Sequence, residues 1–164
     1  MSIREADWEF ARRTVRRCVR SSLHCAVASR NTDGTPHVTP IGSLLLDAES
    51  HTGLYFDVFN TRLAHNVGAD PRVAVLAVDS GPIRWLNALA RGGFRESPGV
   101  RLTGTVSTPR RSTPDEIARF RAVVGPLMRL PGARIMWGDL PRVRDIRFES
   151  VERIRLGTMT RGPR

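Results

Sequence analysis

The chain has 164 residues, 40% hydrophobic and 26% charged, which fits one globular domain that buries a core without disulfide or metal staples. No apolar run approaches the roughly 20 residues of a bilayer span, the amino terminus lacks an apolar signal-like segment, and two cysteines make no disulfide framework, so the expected setting is cytoplasmic and reducing. The formal net charge is +10 and all 26 basic residues are arginine. They are spread along the chain with few aromatics between them, which suits small anions better than a nucleic-acid surface.

Residues Ser2 to Val19 read as an amphipathic helix, because Trp8, Ala11, Val15 and Cys18 recur at spacings of three and four. Glu5 and Asp7 stand near its start, where carboxylates suit the helix dipole. A β-rich run from Cys25 to Ser29, a turn carrying Asp33-Gly34 and a second run from His37 to Leu46 predict a hairpin. A polar turn from Asp47 to Gly53 precedes a strand from Leu54 to Phe59. Thr61 to Gly68 predicts a short helix with Asn60 or Thr61 as its N-cap, ended by Pro71. Arg72 to Val78 is continuously apolar after its first residue and predicts a strand buried on both faces.

Ser80 to Pro98 breaks the β rhythm with a helix over Ile83–Arg91 that stops at Gly92-Gly93. A strand from Val100 to Ser107 follows. Thr113, Pro114 and Glu116 form a capping-box start for a helix running toward Val124. Arg144–Val151 and Glu152–Leu156 alternate with period two and predict two closing strands. The sum is about six or seven short strands with flanking helices, a small antiparallel barrel of class α+β or mainly β.

Most familiar site chemistries have no support in the sequence. There is no G-x-S-x-G elbow, no dinucleotide or P-loop glycine motif, and no pair of histidines at metal-binding spacing. Cys18 and Cys25 fall on apolar faces and read as core, not as ligands with His24. Two stretches stand out. In Asn60-Thr61-Arg62 a strand runs straight into a helix start, so free backbone N–H groups, a hydroxyl and a guanidinium converge, as a phosphate monoester requires. A plain N-cap beside an exposed arginine is the other reading. In Gly34–Ser43, Pro40 removes a ladder N–H from a strand, which marks either an aggregation-resistant edge or irregular backbone open to a flat ligand.

Taken in order, Gly34-x-Pro36-His37-Val38-Thr39-Pro40, Tyr55-Phe56, Asn60-Thr61-Arg62-x-x-x-Asn66 and Asp70-Pro71-Arg72 resemble the pyridoxamine 5'-phosphate oxidase-like, FMN-binding split-barrel family. The fit runs from about Leu23 to Val106. The tail, Val143-Arg-Asp-Ile-Arg-Phe and Arg155-Leu-Gly-Thr-Met-Thr-Arg-Gly, resembles an actinobacterial-type branch. The resemblance implies a six-stranded antiparallel split barrel over the whole chain, forming a homodimer with flavin sites at the subunit interface.

By position, Thr39, Pro40, Ile41 and Gly42 would line the isoalloxazine, Phe56 and Asp57 would flank the ribityl chain, and Thr61 and Arg62 would take the phosphate. His37 and Asn66 would support these loops. Leu63 stands where a second cation is frequent, so Arg101 or a partner-chain arginine would have to complete the phosphate site. The Trp and Arg-x-His-x-Arg pattern of true pyridoxamine phosphate oxidases is replaced by Phe148-Glu-Ser-Val-Glu-Arg-Ile-Arg-Leu156, which argues against vitamin B6 oxidation.

The expected activity is therefore flavin-dependent oxidoreduction of a small-molecule substrate through flavin N5. The alternatives are an 8-hydroxy-5-deazaflavin-dependent reductase, for which an arginine-rich surface suits an acidic coenzyme tail, and a non-catalytic flavin or haem carrier using His37 or His65. The 80–98 insertion, with Trp85 and Phe94, is either a packing helix or a wall on the substrate or interface side.

Overall fold

In the computed structural model, which describes residues 3–160, helix α1 spans Glu5–Ser22. Ser2, Arg161 and Gly162 lie outside the described residues, and the helix continues past Val19 by one turn. Its apolar stripe is the predicted one: Trp8, Ala11, Val15 and Cys18 are all buried. Leu23 ends it in a left-handed conformation at φ 62°, its N–H returning to the Val19 carbonyl. In the first turn, the Asp7 carboxylate accepts from Arg4 at 2.7 Å and from Arg153 at 3.0 Å. Arg153 also stacks over the Phe10 ring at 4.3 Å.

The chain then forms β1 (Cys25–Arg30), β2 (Pro36–Ile41), β3 (Leu45–Leu46) and β4 (Thr52–Phe56), followed by α2 (Thr61–Ala69), β5 (Arg72–Val78), α3 (Pro82–Arg91) and β6 (Gly99–Val106). After these come β7 (Arg110–Arg111), α4 (Pro114–Val124), α5 (Pro131–Trp137) and β8 (Arg142–Arg153). All pairings are antiparallel, in the order β2-β1-β5-β6-β8-β4-β3, with β7 against β8. The sheet curls into a split half-barrel.

Three sequence expectations change. First, the run His37–Leu46 is not one strand. It breaks at Gly42-Ser43 because β2 and β3 belong to opposite edges of the sheet; a Cβ at Gly42 would stand 2.6 Å from the Leu23 carbonyl oxygen. Second, β5 is half-buried: Val73, Val75 and Ala77 face the core while Leu76 is 40% exposed. Third, the two closing strands are one, β8, twelve residues long. Its first half pairs with β4 and its second with β6, and the register shifts at Thr103/Gly104. That bulge bends the sheet, and a side chain at Gly104 would run into the Arg147 carbonyl. The sheet thus has eight strands, two of them only two residues long, where six were expected.

One core cluster joins α1 to the inner face of the sheet, including Trp8, Val15, Val27, Tyr55 and Leu102. Both free cysteines are part of it. Cys25 donates to Cys18 at 3.7 Å, which raises the Cys25 thiol and lowers that of Cys18. A second cluster lies between β4, β8 and α4–α5, where Phe120 packs edge-on to Trp137 with centroids 5.7 Å apart. Helix α4 starts on the predicted capping box, Thr113 accepting from the Glu116 N–H and Glu116 from the Thr113 N–H. Helix α3 ends at Gly92, φ 72°; Trp85 anchors it by donating to the Asp79 carbonyl at 2.7 Å and packing on Phe94. No described helix is long and apolar enough to cross a membrane.

Candidate functional site

The edge strand β2 and the crossover that follows it build one wall of a cavity of about 330 Å³. Pro40 stands in that edge strand, where its missing N–H breaks no interior ladder. Thr39, Pro40, Ile41, Gly42 and Phe56, five of the residues assigned to cofactor binding, line this one cavity. Buried Ser43 secures the crossover, its hydroxyl accepting from the Phe56 N–H at 3.0 Å and so tying the loop to β4. The Thr39 hydroxyl oxygen is buried and has no partner within the fold. A buried hydroxyl without a partner is costly unless some group meets it, and its residue lines the cavity.

The opposite wall carries Trp137 and Met136 from α5 and Leu140 just after it. The sequence reading assigned no element here, although Pro131 at the first helical position was an available start signal. Largely apolar walls with a few polar groups suit a flat aromatic ring system.

Below the cavity the chain leaves β4 through Phe59, held at φ 61° and 78% exposed. A bulky residue in that conformation is strained. Asn60, which lines the cavity, is the N-cap position of α2, but its side chain makes no capping hydrogen bond. The first-turn N–H groups of α2 therefore lack intrahelical acceptors, and no acidic residue stands in that turn. Thr61 and Arg62 are exposed at this positive end. Arg62 is close enough to help lower the Asp33 carboxyl, which hydrogen bonds from Thr35 hold down first. Fully buried Asn66 pins α2 to the β1–β2 hairpin, donating to the Ser29 hydroxyl and the Asn31 side-chain oxygen at 3.0 Å each.

The remaining sequence candidates lie elsewhere. Asp57 does not line the cavity; its carboxylate accepts from Arg144 at 2.8 Å. Arg101 pairs with Glu152 at 2.8 Å on an exposed face of the sheet. Leu63 points into the core, fully buried. His37 is half-buried on β2 and His65 is exposed on α2, and neither lines the cavity. The Tyr55 hydroxyl is a second buried orphan, and burial pushes its phenol well up. Among the described residues no cluster of His, Cys, Asp or Glu could hold a metal ion.

A family model described as pyridoxamine 5'-phosphate oxidase matches residues 11–145. Among solved structures, an FMN-binding protein from Syntrophomonas wolfei subsp. wolfei superposes with a TM-score of 0.63 at 10% identity, over 92% of this chain and 88% of that one. An F420 reductase superposes with a TM-score of 0.53 at 17% identity, covering 82% and 93%. HutZ, a haem storage protein from Vibrio cholerae, gives 0.51 at 14% identity, covering 84% and 89%. At these identities the likeness is one of fold. No curated protein matches the chain.

Proposed function

The chain belongs to the pyridoxamine 5'-phosphate oxidase-like split-barrel family, and from that premise we propose that it is a flavin-dependent oxidoreductase holding FMN in the cavity between β2, β4 and α5. The observation that carries the proposal is a convergence. An orphaned hydroxyl at Thr39 and apolar walls from Ile41, Phe56 and Trp137 lie beside an uncapped helix start bearing Thr61 and Arg62. When bound, FMN supplies hydride or electron transfer through N5.

The residues bind, orient and keep dry. Thr61, Arg62 and the α2 N–H groups take the phosphate. The Thr39–Gly42 backbone and the Thr39 hydroxyl meet the ring edge, and Phe56 and Trp137 exclude water. A second copy of the chain closes the site in this reading. Val38, Phe59 and Met136 leave 60%, 78% and 52% of their surface exposed on the elements that carry the cavity, apolar surface that a second copy would cover. Oxidation of vitamin B6 is left out of this reading, because the tail lacks the Trp and Arg-x-His-x-Arg pattern and its Arg153 is engaged by Asp7 and Phe10.

A specific observation favours the deazaflavin alternative. Leu63 is buried and Arg101 is paired to Glu152, so of the positions considered for the phosphate Arg62 is left as the exposed guanidinium at the α2 start. The test is titration of ligand-free protein with FMN and with an 8-hydroxy-5-deazaflavin, after an absorbance spectrum of the protein as purified. Saturable FMN binding lost on Arg62→Ala supports the proposal. Binding of the deazaflavin alone moves the assignment to the reductase reading, and binding of neither overturns the site.

A further inference from the structure

A second cavity, also about 330 Å³, lies between α1, α4 and β3 and shares no lining residue with the first. Its floor is apolar, formed by Val15, Leu44, Leu45 and Val123. Its rim is cationic: Arg12, Arg16 and Arg20 from α1, and Arg119 across from them on α4. No carboxylate lines it. The three α1 arginines recur every four residues, on one helix face at about 6 Å of rise per step. Like charges at that spacing disfavour the helix unless an anion meets them.

Neutralisation within the chain is incomplete. Arg12 reaches Glu9 at 2.8 Å through one terminal nitrogen, yet its Nε is buried without a partner. Arg119 lies near enough to contribute to lowering the Asp47 carboxyl, which backbone N–H groups of Glu49 and Ser50 already hold. Arg16 and Arg20 are exposed and form no ion pair with any described residue. A concave apolar floor under unpaired guanidinium groups selects for a ligand with both features.

We propose that this cleft is a binding site for a small organic anion with an apolar body, its carboxylate or phosphate held by Arg12, Arg16 and Arg20 and its hydrocarbon or aryl part seated on Leu44, Leu45 and Val123. The site stands independently of the flavin reading. It is nevertheless adjacent to that cavity, because consecutive residues Ser43 and Leu44 of one crossover line the two.

The experiment is titration of the full chain, loaded with FMN if it binds, with dodecanoate below its micellar concentration, followed by backbone and arginine Nε–H NMR shifts. The expected result is saturable one-to-one binding that moves the Leu44, Leu45 and Leu46 amides. Inorganic phosphate should bind at least tenfold more weakly, and dodecyltrimethylammonium should not bind. The Arg16→Glu/Arg20→Glu variant should lose at least tenfold in dodecanoate affinity. Both positions are exposed, and while the two introduced carboxylates repel each other as the two arginines did, the one at position 16 gains an attractive i,i+4 pair with Arg12. Should that variant fail to fold, Ala122→Trp, an exposed α4 substitution that fills the cavity, serves instead and should abolish binding. Equal affinity for phosphate shows that the apolar floor plays no part, equal affinity for the cationic amphiphile shows that the arginines play none, and unchanged affinity in the folded variants places the ligand elsewhere. Each overturns the proposal.

Discussion

Arg144 donates through Nε to the Asp57 carboxylate at 2.8 Å, across 87 positions of sequence, with only 10% and 9% of the two side chains exposed. The pair staples the end of β4 to the start of β8, and Arg144 also donates to the Ser107 carbonyl at 3.2 Å. Asp57 is therefore a structural residue at the border of the candidate cofactor site.

Removing one partner of such a pair leaves a buried charge uncompensated, typically at about 3–5 kcal/mol. Asp57→Ala is expected to lower unfolding free energy by about that amount in urea titration. FMN affinity in the fraction that remains folded should change little. Lost affinity at undiminished stability would instead put the carboxylate on the cofactor.

Arg62→Ala should show the opposite behaviour. The side chain is exposed at the α2 start, so the melting temperature should hold within experimental error. A charge-assisted phosphate contact is worth about 1.5–3 kcal/mol, so FMN affinity should fall by roughly ten- to a hundredfold. Flavin fluorescence quenching measures it, and Arg62→Lys should recover part of the loss.

Thr39→Val separates ligand binding from folding at a single atom. The hydroxyl has no partner in the protein, so replacing it by a methyl group removes a desolvated, unsatisfied polar group and keeps a β-branched residue in β2. Thermal stability should hold or rise. FMN binding should weaken by about 0.5–1.5 kcal/mol, the net worth of one neutral hydrogen bond.

Asp70, just after α2, accepts from the Arg72 guanidinium at 2.9 and 2.7 Å and from the Arg72 N–H at 3.2 Å. These bonds hold its carboxyl down at about 2. The ordinary carboxylate value is about 3.9, so the group binds its proton more readily when unfolded. Its stabilising contribution is complete above that ordinary value and is lost as pH falls toward 2. Carboxyl NMR titration should place Asp70 near 2, and Arg72→Ala should move it back up.

Local signals carried much of this protein into view. The α1 stripe, the Asp33-Gly34 turn and the Thr113–Glu116 capping box are legible because each is made by residues within a few positions of one another. The same holds for the strand-to-helix step at Asn60–Arg62 and for Pro40 within β2; Asn60 and Pro40 line one cavity.

What no local pattern contained are the contacts that set one element against another. The run from His37 to Leu46 gives no local sign that the chain leaves one sheet edge after Ile41, because β2 and β3 pair with different strands and the Leu23 carbonyl lies against Gly42. Nor does alternation distinguish two closing strands from one that bends at a bulge opposite Gly104. Trp137 lines the candidate cavity with its ring packed edge-on against Phe120 from another helix. Asp57 does not line that cavity, and its carboxylate is held by Arg144, 87 positions away. Sequence by itself determined most of the elements and the family they resemble; tertiary structure decided edges, bulges and charge partners, since those depend on which distant groups share a low-dielectric interior and must satisfy one another there.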